Sequence, residues 1–266
     1  MTLVRSQVSN LSKKDIIRFA GVSLIRSLPF LAIKNNFDYW KKEDMQTYLG
    51  AVFYGMDIIL DVAADEGYTS GATDYTSDVV AIAFTSHLAD GSAAAYEGDT
   101  ANKAAGFVLL AAARAIATSY TTPLDAAIDT AGAAYVAADA AFEFLAYSHI
   151  RFNLMETTRA RYTTTMNTRR FEEILLGDAK NLRKGRPFTH TDAKIYGPIR
   201  DNFREALEAE GCAYWWRLYE QLFSGSFIPD LKALKLRMSA PFEIRTSGAA
   251  ATARWLEKEE KRTASN

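Results

Sequence analysis

The sequence has little of what builds a secreted or a membrane protein. It holds one cysteine, Cys212, in 266 residues, so no internal disulfide can form, and this usage is typical of a reducing compartment. Charged residues within positions 5–18 interrupt the N-terminal region, so we expect no secretory signal peptide. The most apolar run, 104–117, contains Arg114 and is shorter than the roughly 20 residues that a spanning helix needs. We therefore predict a cytoplasmic protein without a transmembrane segment.

Proline and glycine are also scarce, with six and fifteen residues respectively. Because these residues interrupt regular elements, their scarcity favours long helices over many short strands. Apolar residues recur at helical spacing along most of the chain. We predict an all-α protein, a single helical bundle-like domain of roughly seven to ten helices over residues 1–266. A soft domain boundary is predicted at 177–197, and a frayed tail at 261–266.

The first predicted helix begins at a capping-box-like pair, Ser12 and Asp15, and ends near Pro29. Its polar side chains are basic: Lys13, Lys14, Arg18 and Arg26. A basic amphipathic helix can lie on an anionic membrane, which makes 12–28 a candidate for peripheral membrane contact. We favour the alternative, an ordinary helix that covers the core and exposes its basic side chains to water.

The centre of the chain is rich in alanine and predicts a helical hairpin. The first helix runs over Thr100–Tyr120 and the second from Pro123 to about Ile150, with Tyr135 and Val136 among its few larger apolar side chains. Because small side chains let helix backbones approach closely, we expect the two helices to pack antiparallel in the core.

The remaining segments are predicted from spacing and from turn residues. Residues 79–88 fit a helix or a strand, and periodicity does not separate the two in so short a run. We predict a turn at Asp90-Gly91-Ser92. Further helices are predicted over Trp40–Ala64, from Pro198 through Gly211 to near Gly225, over Asp230–Met238 and over Ser247–Glu260.

Charge is distributed unevenly along the chain although the net charge is only −1. Residues 51–150 carry 13 acidic and 2 basic residues, a net charge of −11, while residues 1–50 carry +4 and residues 151–266 carry +6. Such asymmetry affects association and steering rather than the fold. It favours self-assembly through complementary regions, or docking of a partner of opposite charge.

One set of residues has the spacing of a metal site. Asp57 and Asp61 lie four residues apart, hence on one helix face, and Asp125 and Asp129 repeat the spacing. Two facing pairs of this kind can hold Mg²⁺ through oxygen ligands and so engage a phosphorylated or diphosphate substrate. The basic residues that would bind a diphosphate are missing near either pair, and Asp125 also suits a helix N-terminus.

Two further sets are candidates for interaction. Basic side chains between 159 and 186 can contact phosphates or an acidic protein, and the candidates among them are Arg169, Arg170, Arg183, Lys184 and Arg186. Tyr214, Trp215 and Trp216 form an aromatic cluster that either packs in the core or belongs to a partner surface.

No pattern of catalytic residues or cofactor-binding motif stands out, so we expect no cofactor. The leading hypothesis is a non-enzymatic helical interaction module, a scaffold, adaptor or regulatory subunit. The size and character of the chain fit an accessory protein of a bacterial defence or effector system. Its partner would be a protein or a second copy of the chain, which we favour over nucleic acid. The alternatives are a Mg²⁺-dependent all-helical enzyme, or a protein that binds membranes or nucleic acid through its basic ends.

Overall fold

A computed structural model describes residues 11–32, 34–64, 75–96, 100–120, 123–152, 193–224 and 230–264. Within these ranges the chain forms ten α-helices and one short 3₁₀ helix, with no strand. The prediction of an all-α protein is therefore confirmed, and residues 79–88 are helical. The helices are α1 (Lys13–Ser27), the 3₁₀ helix (Leu28–Ala32), α2 (Lys42–Ala64), α3 (Tyr75–Tyr96), α4 (Thr100–Tyr120), α5 (Leu124–Phe152), α6 (Ala193–Ala209), α7 (Ala213–Ser224), α8 (Leu231–Met238), α9 (Phe242–Thr246) and α10 (Ala249–Ala264).

Helix α1 begins as its sequence predicts. The Ser12 hydroxyl accepts a hydrogen bond from the backbone N–H of Asp15 at 3.2 Å and donates one to the Asp15 carboxylate at 2.8 Å. Beyond its first turns, however, α1 is buried on all sides between α2, α4 and α5. The expectation of a solvated basic face is wrong for Arg26, which is 1% exposed and lies 4.8 Å from the centre of the Phe223 ring.

Helix α2 is the second core helix and contacts both halves of the chain. It packs on α1, α3 and α4 on one side and on α8, α9 and α10 on the other. Its length and apolar composition are sufficient to cross a membrane, and no other helix in the described ranges meets both criteria. Most of its apolar window is buried inside the protein, as expected of a core helix.

The predicted alanine-rich hairpin is α4 and α5, which share the most extensive contact of any two helices in the described part of the chain. Only three residues separate them, so they run antiparallel. A small buried cluster of Ala111, Ala137 and Ala138 lies between them, with Leu110 packed against it. Alanine at these positions lets the helix axes approach closely.

Two predictions within helices are wrong. The predicted turn at Asp90-Gly91-Ser92 lies inside α3, where the Ser92 hydroxyl donates to the carbonyl of Gly106 on α4 and the carbonyl of Gly91 accepts from the Trp40 indole. The helix predicted across Gly211 is broken there, because Gly211 has a φ of +71°. This left-handed conformation ends α6 and favours glycine.

The C-terminal helices are held on α2 by the side chain of Gln46. Its carbonyl oxygen accepts from the backbone N–H of Ala250 at the start of α10, at 2.9 Å, and its amide donates to the carbonyl of Glu210 at 3.2 Å. Gly248, with a φ of +98°, and Gly50 let the backbones of α2 and α10 approach. One continuous cluster of buried side chains extends from α1 to α10.

Two predictions of organisation concern the later part of the chain. The soft boundary at 177–197 lies mostly outside the described residues. Of the tail predicted to fray at 261–266, residues 261–264 belong to α10.

Candidate functional site

The four aspartates predicted to bind Mg²⁺ divide between the interior and the surface. Asp57 and Asp61 are buried on α2, whereas Asp125 and Asp129 are exposed on α5. Among the described residues, no three His, Cys, Asp or Glu side chains lie close enough to share a metal ion. The structure therefore does not bring the two pairs together.

Asp57 is the counter-ion of a buried arginine. The Nε of Arg237 on α8 donates to Oδ1 of Asp57 at 2.6 Å, and both side chains are 2% exposed. Burial raises the pKa of Asp57, although the positive charges of Arg237 and Arg245 act to lower it. Burial by itself would lower the pKa of Arg237, but the Asp57 carboxylate and Tyr214 together outweigh burial, and the pKa is raised. The pair joins α2 to α8 across 180 residues of sequence.

Asp61 lies one turn after Asp57 on α2. Burial raises the pKa of Asp61, and the neighbouring negative charge of Asp57 raises it further. Unlike Asp57, Asp61 has no arginine among the groups that shift its pKa. Two aspartates on one helix face thus lie in different environments.

Other polar side chains surround this ion pair. The guanidinium of Arg245 lies 4.3 Å from the centre of the Tyr54 ring and donates to the carbonyl of Met238. The hydroxyl of Tyr214 donates to Oε1 of Glu260 at 2.9 Å. These contacts link α2, α7, α8, α9 and α10, so the cluster serves the packing of the C-terminal helices.

The predicted aromatic cluster lies largely inside the protein. Trp215 is buried, its ring stacks on Phe53 at 4.7 Å, and its indole N–H donates to the carbonyl of Ala249. Tyr214 is buried as well, and Trp216 is partly buried against Phe203. Tyr214 and Trp215 are therefore core residues, and they are not available to a partner in this structure.

The basic interaction candidates, Arg169, Arg170, Arg183, Lys184 and Arg186, lie outside the described residues.

Cys212 is buried at the start of α7. Its Sγ donates to the carbonyl of Glu210 at 3.6 Å. Burial, with a smaller contribution from the Glu210 carboxylate, raises the pKa of the thiol to about 12. Because the thiolate is the nucleophilic form, Cys212 is a packing residue at neutral pH.

The outward face of α5 combines acidic and apolar side chains, and it is the candidate interaction surface. Of the three large apolar side chains that are exposed in the described part of the chain, Leu124 (47% exposed) and Val136 (43% exposed) lie on this helix. Asp125, Asp129 and Val136 share one face because positions i, i+4 and i+11 fall within about 40° of arc. Gly132 shares that face, and a Cβ added there would meet nothing within 4 Å.

The charge on this face has one sign. Residues 124–141 of α5 include three aspartates, the third being the partly exposed Asp139, and no lysine or arginine. We call the set Asp125, Asp129, Gly132, Val136 and Asp139 the acidic face of α5; Leu124, at the first position of the helix, lies about 100° around the axis from Asp125.

The outward face of α10 carries the opposite charge. Arg254, Lys258, Lys261 and Arg262 are exposed, at positions i, i+4, i+7 and i+8. Two of the three glutamates of α10 contact α7: Oε1 of Glu257 accepts from Arg217 at 2.8 Å, and Glu260 accepts from Tyr214. The third, Glu259, forms an ion pair with Arg262 at 2.7 Å. The basic side chains therefore dominate the outward side, which we call the basic face of α10.

Sequence reasoning missed both faces. The spacing of Arg254, Lys258 and Lys261 is a readable signal of a basic face in the last helix. For α5 the signal is weaker. Alanine fits the core as well as the surface, so an alanine-rich helix has little periodicity. Its sequence therefore does not separate the exposed Val136 from the buried Tyr135.

No protein-family model matches this chain, and comparisons with curated proteins and with solved structures also find no match.

Proposed function

We propose that this chain is a non-enzymatic protein-interaction module, a scaffold, adaptor or regulatory subunit, that binds its partner through the acidic face of α5. The observation that carries the proposal is the exposure of Val136 on a helix face whose charged residues are all aspartates. A small apolar centre with a polar rim is the common arrangement of protein–protein contact surfaces.

Each part of this face has a separate physical role in binding. Val136 removes apolar surface from water when a partner covers it, at roughly 25 cal/mol per Å² of apolar area. The aspartates at its border attract a basic partner and disfavour an acidic one, which affects the association rate and the specificity more than the affinity. The expected partner therefore carries basic side chains around a small apolar centre.

Two groups with reactive potential elsewhere in the described chain are engaged in packing, which further supports the proposal. Asp57 forms an ion pair with Arg237, and Cys212 is a buried thiol with a raised pKa. Both residues hold the C-terminal helices in place.

Site-specific photo-crosslinking in the producing cells tests the proposal. A photoreactive residue in place of Val136 should give discrete cross-linked products, whereas the same residue in place of the exposed Lys232 on α8 should not. The products should be lost when Asp125 and Asp129 are also changed to Asn, because the basic partner is no longer attracted. Equal products from both positions, or products that persist without the aspartates, would contradict the proposal.

A further inference from the structure

We infer that the partner of the acidic face of α5 is the basic face of α10 on a second copy of this chain. This inference rests on the proposed function and names its partner. The two faces belong to helices with different neighbours: α5 packs on α1 and α4, and α10 packs on α2, α7, α8 and α9. Each copy therefore offers one face of each sign.

Charge complementarity is the first argument. The acidic face carries three aspartates, and the basic face carries four cationic side chains, of which Arg262 also pairs with Glu259 of its own helix. The first two aspartates of α5, Asp125 and Asp129, are four positions apart, and so are the first two basic residues of α10, Arg254 and Lys258. Four residues correspond to about 6 Å along a helix, so both pairs align when the helices lie side by side. A contact between identical acidic faces would instead repel.

The apolar side chains of the two faces also complement each other. Gly132 leaves a shallow gap on α5 next to the exposed Val136. On α10, the partly exposed side chains of Ala251 and Trp255 border the cationic residues. Small residues at a crossing point let two helices approach closely, and Trp255 supplies apolar area to cover Val136.

The geometry determines the kind of assembly. Because the two faces are different surfaces, one contact leaves an acidic face on one copy and a basic face on the other. Copies therefore add in a chain, or two copies close a dimer when both contacts form at once. A single helix-to-helix contact is small, so the assembly should be weak, concentration-dependent and sensitive to salt.

Sedimentation velocity on the full chain tests this inference. At low ionic strength, about 0.02 M, the weight-average mass should rise above the 29.5 kDa of one copy as the concentration increases. At about 0.5 M salt, where the Debye length falls below about 5 Å, the mass should return to that of one copy. A mass of one copy throughout the concentration series at low salt would overturn the inference.

A charge-swap pair identifies the faces involved. The variant Asp125→Lys/Asp129→Lys should associate at least ~10-fold more weakly than the unmodified chain, and so should Arg254→Glu/Lys258→Glu, because in each variant both faces have the same sign. An equimolar mixture of the two variants should recover association, since each then meets a face of opposite sign. Matched controls are Asp201→Lys on α6 and Lys232→Glu on α8, both exposed, which should leave association unchanged.

Circular dichroism monitors folding of each variant. If the lysine variant is unfolded, the two single variants Asp129→Asn and Arg254→Gln replace the charge-swap pair. Each should weaken association, and a mixture of the two should not recover it. Variants that are folded and associate like the unmodified chain would overturn the inference.

The identity of the cross-linked product at position 136 separates the two proposals. If the product contains a different protein, this inference alone is overturned. If there is no product, the proposed function is overturned as well.

Discussion

Asp57 shows how one residue changes meaning between sequence and structure. Its spacing from Asp61 predicts a metal ligand. In the fold, its carboxylate instead accepts a hydrogen bond from Arg237, and both side chains are buried. A buried ion pair adds little net stability because desolvation of the two charges offsets their attraction, yet removing one partner leaves an uncompensated charge.

Replacement of Asp57 should therefore be costly. We expect Asp57→Ala to lower the free energy of unfolding by about 3–5 kcal/mol, measured by urea denaturation, because Arg237 remains charged and buried. The double variant Asp57→Leu/Arg237→Met removes both charges and should recover most of this loss. A single variant as stable as the unmodified chain would show that water reaches the pair.

Asp61 is the matched contrast one turn away. Its pKa is raised in the folded state, so the charged form destabilises the fold at neutral pH. We expect Asp61→Asn to stabilise the chain at pH 7 by less than about 1 kcal/mol, given that solvent screens part of the effect. As the pH falls through the raised pKa of Asp61 towards the ordinary pKa of an aspartate, the carboxylate becomes protonated. The difference in stability between Asp61→Asn and the unmodified chain should then disappear. An advantage that grows at low pH would contradict the assigned direction.

At the scale of elements, glycines set how α2 and α10 meet. Gly248 has a φ of +98°, and a Cβ there would lie 2.7 Å from the Cβ of Gln46, the side chain that caps α10. Gly132 on α5, in contrast, is a helical glycine with open space around the position of a Cβ. The same substitution should therefore have opposite effects at the two positions.

Thermal and urea unfolding measure that difference. We expect Gly248→Ala to cost about 1–3 kcal/mol, from the left-handed backbone and the displaced Gln46. Gly132→Ala should stabilise by about 0.5–1 kcal/mol, because alanine loses less backbone entropy in a helix. A loss of similar size at both positions would contradict this description of the α2–α10 contact.

At the scale of the whole molecule, Cys212 reports on the packing of the C-terminal helices against α2. Its raised pKa, about 12, keeps the thiol protonated at pH 7, and burial blocks access to it. We expect reaction with a disulfide reagent to be very slow in the native chain and complete in denaturant. The rate should rise in Gly248→Ala and stay unchanged in Gly132→Ala. Rapid labelling of the native chain would show that α6 and α7 open readily.

The features that the sequence alone determined are local or compositional. Helix content, the Ser12 cap and the alanine-rich hairpin follow from spacing, side-chain size and contacts within a few residues, so they could be predicted. The unequal distribution of charge, which motivates the proposed function, is likewise a property of the sequence.

Tertiary structure decided which polar residues are buried and which apolar ones are exposed. Arg26 is buried because α1 is surrounded by other helices, and Asp57 meets an arginine 180 positions away, which no local pattern encodes. Val136 is exposed because α4 and α1 cover only the other side of α5. Helix spacing shows which residues share a face, but only the packing of distant segments determines whether that face meets water or the core.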